Sequence, residues 1–182
     1  MDLFRALRAA LGDDLPLIAE DLGVITEDVE ALRDELQLPG MAVLQFGFED
    51  LACGFGRSGF LPHHHRKRLA VYTGTHDNNT LLGWWASKDE RVRTSACHYL
   101  RVDGREINWD FIRTALASVA ELVLFPLQDA LGLGAEACMN RPGTAEGNWM
   151  WRYRVEMLDP EIAARLLELT RLCGRLPYPT ND

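Results

Sequence analysis

The sequence predicts an α/β fold of parallel strands and helices, either half of an eight-stranded (β/α)₈ barrel or a small open sheet. Three observations carry that expectation. Short apolar runs alternate with segments of helical periodicity, which implies right-handed βαβ units. Each apolar run ends in polar side chains, as strands do at the active-site face of such a barrel. The 182 residues, 47% hydrophobic and 25% charged, suffice for one domain with a real core.

The elements follow in order. MDLFRALRAALG has apolar residues at helical spacing and closes at Gly12; it lacks the pattern of a secretion signal. LPLIAE (15–20) reads as the first strand, ending in Glu20 with Asp21 beyond. Thr26 can cap TEDVEALRDELQL, whose early acids suit a helix N-terminus and which Pro39 and Gly40 end. MAVLQFGF (41–48) reads as the second, buried strand, with Gln45 and Phe46 towards its end. A Gly- and His-rich connection leads to LAVYTG (69–74), the third strand, which runs directly into Thr75, His76, Asp77, Asn78 and Asn79.

Helical patterns fill much of 79–118. ELVLFPLQ (121–128) reads as a strand or a buried helix, since periodicity does not separate the two in so short a run, and Gln128 and Asp129 follow it. Asp159, with Pro160 at the first helical position, caps DPEIAARLLELTRLCG. The whole of 1–182 is expected to be a single, partial domain.

Composition narrows the partners. A net charge of −8 argues against nucleic acid, which needs a concentrated basic face. HHHRKR (63–68) reads as a solvated loop. The longest apolar stretch, 116–127, is too short to span a bilayer, so no membrane partner is expected. The four cysteines form no C-x-x-C pair, which fits reduced thiols in a cytoplasm better than a disulfide framework or a zinc site. His63, His64 and His65 point in different directions in extended chain and have no carboxylate at ligand spacing. No metal and no cofactor are expected.

Two carboxyl groups facing one another are the usual equipment for cleaving a glycosidic bond. Glu20, at the end of an apolar run, suits a general acid if partial burial raises its pKa. Asp77, between His76 and Asn78, suits a carboxylate that accepts from sugar hydroxyls. Asp21, beside Glu20 at the same strand end, is expected to contact the substrate. Capping and turn chemistry explain the same residues without catalysis, and Asp21 can simply brace Glu20. Trp84 and Trp85 read as packing. Trp149 and Trp151 alternate, and in extended chain would share one face as core filling or as a sugar platform.

LPLIAEDLGVITEDVEALRDELQLPGMAVLQFGF, VYTGTHDNNTLLGWW, FPLQDALGLG and MNRPGTAEGNWMWR together resemble the carboxyl-terminal part of the 4-alpha-glucanotransferases, the amylomaltase or disproportionating-enzyme family, glycoside hydrolase family 77. The resemblance implies the carboxyl-terminal half of a (β/α)₈ TIM barrel, strands five to eight with their helices. It also implies a retaining double displacement on α-1,4-glucans or maltooligosaccharides. It makes Glu20 the general acid/base and Asp77 the carboxylate that holds and distorts the sugar. His76 becomes a contact to the same sugar and Phe46 an aromatic lining the site, while Asn140, Asn148 and Trp149 fall near the sugar-binding cleft.

The family's nucleophile lies in an arginine-x-aspartate setting on the strand before the acid/base, and only MDLFRALRAALGDD precedes LPLIAE here. Arg101-Val102-Asp103 offers the pattern but lies in a turn after Asp77, and reads as a decoy. The expectation is therefore a piece of the enzyme, inactive alone, that pairs with an amino-terminal half, associates with itself through exposed edges, or binds maltooligosaccharides without turnover. Asn79 departs from the family's T-H-D-N-D pattern and removes a charge beside Asp77.

Overall fold

The computed structural model describes residues 2–54, 56 and 58–177. Three parallel strands organise them: β1 (Gly40–Val43), β2 (Leu69–Tyr72) and β3 (Leu122–Leu124), in the spatial order β1-β2-β3. Gly40 pairs with Leu69 and Val43 with Tyr72, while Ala70 pairs with Leu122 and Tyr72 with Leu124. Around them lie α1 (Asp2–Leu11), α2 (Glu27–Glu35), α3 (Leu44–Ala52), α4 (Leu81–Ser87), α5 (Glu90–Leu100), α6 (Ile107–Leu116), α7 (Leu127–Ala130) and α8 (Pro160–Leu172).

The parallel α/β character is as expected, but three strands, not four, are present among the described residues. LPLIAE is extended without forming a ladder. Its one backbone bond towards β1 runs from Ala19 N to Pro39 O at 2.9 Å, and the next amide, Met41 N, donates to the Asp21 side chain at 2.6 Å. A carboxylate thus takes the place of a strand carbonyl. Pro16 has no N–H to offer a neighbour.

MAVLQFGF also divides differently. Only its first residues are strand, and Leu44 opens α3, so Gln45 and Phe46 sit in a helical first turn. The run is buried almost throughout, and an apolar pattern with no polar face carries no period that distinguishes strand from helix. The ladder itself sets the limit, since Val43 pairs with the last residue of β2. ELVLFPLQ resolves into both alternatives, strand β3 and then α7, with Pro126 at the helix N-cap.

Helix ends follow the sequence closely. Asp159 Oδ1 accepts from Glu161 N at 2.8 Å, Asp89 Oδ1 from Val92 N at 2.9 Å and Thr80 Oγ1 from Gly83 N at 3.1 Å. Thr26 occupies the N-cap of α2, but its side chain makes no capping bond there. Arg101 ends α5 in the left-handed region and Asp103 pairs with Arg105, so Arg101-Val102-Asp103 is a helix-to-turn junction.

The main core packs Phe48 of α3 against Phe111 of α6, with ring centroids 4.8 Å apart, and Trp84 of α4 against the same ring at 5.4 Å. Trp84 is buried, as expected of packing, and its Nε1 donates to Glu49 Oε1 at 2.6 Å. A second cluster around Trp109, Ile112 and Leu116 seats α8 through Ile162, Leu166 and Leu169. Arg165 lies over Trp109 at 4.3 Å and forks onto Glu106 at 2.7 and 2.9 Å. Beyond α8, Arg175 donates to the carbonyls of Leu116, Ser118 and Ala120 at 2.7 to 2.8 Å.

The histidine run is spent on anchoring. His63 Nδ1 meets Tyr99 Oη at 2.7 Å, and His64 Nε2 meets Gly56 O at 3.1 Å. His65 is buried between Ser118 Oγ and Phe60 O, and that burial holds its pKa below the usual imidazole range. No described helix is long and apolar enough to cross a membrane. The four cysteines are unpaired. At the sheet's outer edge, Leu122 and Leu124 remain 42% and 40% exposed.

Candidate functional site

The five polar residues after β2 form a turn whose members divide their work. Asn78 Oδ1 accepts from Thr75 N at 2.8 Å and Thr75 Oγ1 at 2.9 Å, while Thr75 Oγ1 accepts from Asp77 N at 3.3 Å. Side chains closing their own backbone turn is what Asx and Thr chemistry favours. His76 and Asp77 are left at the tip, their side chains 56% and 48% exposed, with His76 Nε2 3.4 Å from Asp77 Oδ1.

Asn79 points the other way. Its carboxamide packs on Gly83 of α4, where any Cβ would collide with Asn79 Oδ1, and its own carbonyl accepts from Gln45 Nε2 at 2.9 Å. Asn79 Oδ1 is buried without a hydrogen-bond partner.

A second segment, 138–149, braces the tip. Asn140 Nδ2 donates to Asp77 Oδ1 at 2.5 Å, and Asn140 N donates to His76 O at 3.1 Å. Trp149 lies against His76 with ring centroids 5.0 Å apart and is 53% exposed. Its φ of +61° is unusual for a bulky residue and breaks the extended alternation expected of Trp149 and Trp151. Asn148 closes this segment from within: its Oδ1 accepts from Arg141 N at 2.9 Å, and its Nδ2 donates to Thr144 O at 2.9 Å.

Glu20 approaches from the opposite side. Ala19 and Asp21, its neighbours, are both tied to the β1 edge, and alternation along an extended segment turns Glu20 away from that edge. Asp21 also accepts from Arg33 Nη1 at 2.6 Å, both side chains about 10% exposed, and Gly40 leaves room for this carboxylate where a Cβ would collide with it. Asp21 is therefore committed to the β1 edge. Glu20 itself is exposed, so these residues do not supply the burial expected of a general acid.

A cavity of about 1020 Å³ brings together Glu20, Phe46, His76, Asp77 and Trp149. Asn140 reaches it through Asp77, whereas Asp21 and Asn148 are not on its wall. Among the described residues no three metal-ligating side chains converge. Apolar faces, two carboxylates and an imidazole around one space suit a polyhydroxylated ring, which offers hydroxyl donors at its rim and C–H faces to aromatics.

Several wall residues were not singled out from the sequence. Tyr72, the last residue of β2, lines the cavity, and burial pushes its phenol pKa up. Its position at a strand's carboxyl end was an available signal. Cys138 Sγ sits 3.2 Å from Asn140 O, beside the N-R-P-G motif. Asp129, just behind the wall, is 1% exposed, and burial pushes its pKa up to about 6. The sequence placed it among the polar residues that follow the fourth apolar run, but its burial there was invisible.

Comparison with known proteins supplies a further set of observations. A family model described as 4-alpha-glucanotransferase, glycoside hydrolase family 77, matches residues 1–158. The 4-alpha-glucanotransferase of Synechocystis sp. is 48% identical over 182 residues, covering 99% of this chain and 35% of that protein. That of Thermus thermophilus is 44% identical over 182 residues, covering 96% and 35%. The solved structure of an amylomaltase from Streptococcus agalactiae in complex with acarbose superposes with a TM-score of 0.89 at 36% identity, covering 97% of this chain and 35% of that one. The chain spans about a third of the length of the curated relatives it matches.

Proposed function

Because the chain belongs to the 4-alpha-glucanotransferase family, glycoside hydrolase family 77, we propose that it contributes two of the working carboxylates to a retaining transfer of α-1,4-glucan segments. The observation that carries this reading is the single cavity with Glu20 on one side and the His76–Asp77 tip on the other. The acarbose complex of the Streptococcus agalactiae amylomaltase supports a saccharide as occupant.

On this reading a carboxylate outside these residues attacks the anomeric carbon, and Glu20 gives its proton to the departing glycosidic oxygen. A glycosyl ester and a shortened glucan result. Glu20, now ionised, takes the proton of the acceptor's hydroxyl as that oxygen displaces the ester, which restores the α-1,4 bond and the free nucleophile. Asp77 accepts from sugar hydroxyls, oriented by Asn140, and steadies the oxocarbenium-like transition state. Phe46 and Trp149 offer their faces to the ring.

Glu20 and Asp77 are the two carboxylates on the described cavity wall. Both have roles here, so the 182 residues by themselves bind glucan without transferring it. The exposure of Glu20 fits the same view, since a general acid in this role needs further cover.

The test is to replace the matching region of the Synechocystis protein with these 182 residues and to follow maltotriose by chromatography. Glucose and longer maltooligosaccharides are expected, and Glu20→Gln should abolish them while leaving glucan binding in place. A folded chimera that transfers nothing overturns the assignment, and so does a Glu20→Gln chimera that transfers as well as its parent. For the isolated chain, titration calorimetry with maltoheptaose should register binding.

A further inference from the structure

The β2–α4 loop is held at its tip by Asn140, but its two ends converge on a single side chain from a third element. Asp129 Oδ2 accepts from Thr73 Oγ1, where the chain leaves β2, at 2.7 Å. Asp129 Oδ1 accepts from Leu81 N, where the chain enters α4, at 2.7 Å. The Asp129 carbonyl is itself fixed by Asn108 Nδ2 of α6 at 2.9 Å. We propose that Asp129 is a positioning residue that clamps both ends of the 74–80 loop and thereby sets where His76 and Asp77 stand in the cavity.

The geometry supports a clamp rather than ordinary core filling. The side chain is sealed from solvent, and both of its oxygens are used, one on each loop end. A buried carboxylate is costly unless such bonds satisfy it, and here burial raises its pKa while the two bonds pull the other way. The groups facing it from each packed element are uncharged: the Thr73 hydroxyl from β2, the Leu81 amide from α4 and, behind its backbone, the Asn108 amide from α6. Nearby titratable groups on the loop, His76 and Asp77, lie at its exposed tip.

The substrate side of this inference rests on the saccharide reading above; the positional side does not. Asp129→Asn keeps the volume and an acceptor for Leu81 N, but turns an amide donor towards Thr73, whose hydroxyl must rotate to accept it, so a neutral bond replaces the charge-assisted one at that end. Thr73→Val removes the same bond from the other partner, and Thr73→Ser keeps it.

Amide hydrogen exchange and maltoheptaose calorimetry on the 182-residue chain decide the matter. In Asp129→Asn and Thr73→Val, amides of residues 74–80 should exchange about tenfold faster, with Ala42 and Val71 amides unchanged, while Thr73→Ser matches wild type. Maltoheptaose affinity should fall by about the same factor. Unchanged loop exchange in the folded variants overturns the proposal, as does an equal rise in the sheet amides. If wild type binds no maltoheptaose, the saccharide reading fails and the exchange pattern still judges the clamp. Should Asp129→Asn not fold, Thr73→Val carries the comparison.

Discussion

Replacing Asp21 by alanine should destabilise the chain by about 3 kcal/mol, because a part-buried amide and a buried guanidinium lose their partner together. Met41 N would face the cavity left by the carboxylate with its 2.6 Å bond gone, and an unsatisfied buried amide costs about 1–3 kcal/mol. Arg33, 9% exposed, would lose its 2.6 Å contact. Breaking a buried ion pair costs about 3–5 kcal/mol when the survivor has no other partner, but Arg33 keeps Asp34 at 2.8 Å, which lowers that contribution. Asp21→Asn, which still accepts from Met41 N, should lose roughly half as much.

Urea unfolding of the chain measures this directly. With a slope of about 1–3 kcal/mol per molar, the alanine variant should unfold at least about 1 M earlier. A midpoint within about 0.3 M of wild type would refute the brace, as 0.3 M is less than about 1 kcal/mol at any slope in that range. If maltoheptaose binding were lost at the same time, Asp21 would be a sugar ligand, the role expected for it from the sequence. Loss of stability with binding reduced only in proportion to folding is the outcome the geometry requires.

Asp129 makes stability depend on pH in an unusual direction. Its pKa is pushed from 3.8 to about 6 on folding, so the stabilisation of the protonated form is complete below about pH 4 and falls away as pH rises through 6, a loss of about 3 kcal/mol in all. Urea midpoints at acid and neutral pH should show this contribution in wild type and not in Asp129→Asn; a difference between the two proteins that is independent of pH would contradict it. Gly47→Ala should lower Tm although alanine favours helix by about 1 kcal/mol, because its Cβ would meet the Phe60 backbone at 2.9 Å and overpacking costs about 1–3 kcal/mol. A raised Tm would show that the Phe60 backbone yields easily. Arg175→Met should loosen the junction between α8 and the α6–β3 turn at a cost of about 2 kcal/mol, visible as faster exchange in 160–172, since three carbonyls lose a charged donor.

Much of this molecule is legible in short stretches of its sequence. The apolar run 69–72, the polar turn after it, the Asp159 cap and the helices at 27–35 and 160–172 rest on neighbours a few residues apart, the range over which period and capping act. The placement of His76 and Asp77 at a strand's carboxyl end belongs to the same class. So does the reading of Trp84 as packing, which its burial matches.

Tertiary contacts decided the rest. Whether 41–48 is strand or helix turned on where β2 stops offering partners. Whether Glu20 or Asp21 faces the cavity turned on Arg33, twelve residues away, and on the Met41 amide. The Asp129 clamp turned on Thr73, 56 residues away. By itself the sequence determined which side chains stand at the ends of its apolar segments, because that depends on local periodicity. Only the folded chain decided which of them are spent on holding its backbone and which remain for a ligand, because a buried carboxylate takes its role from the donors that reach it through space.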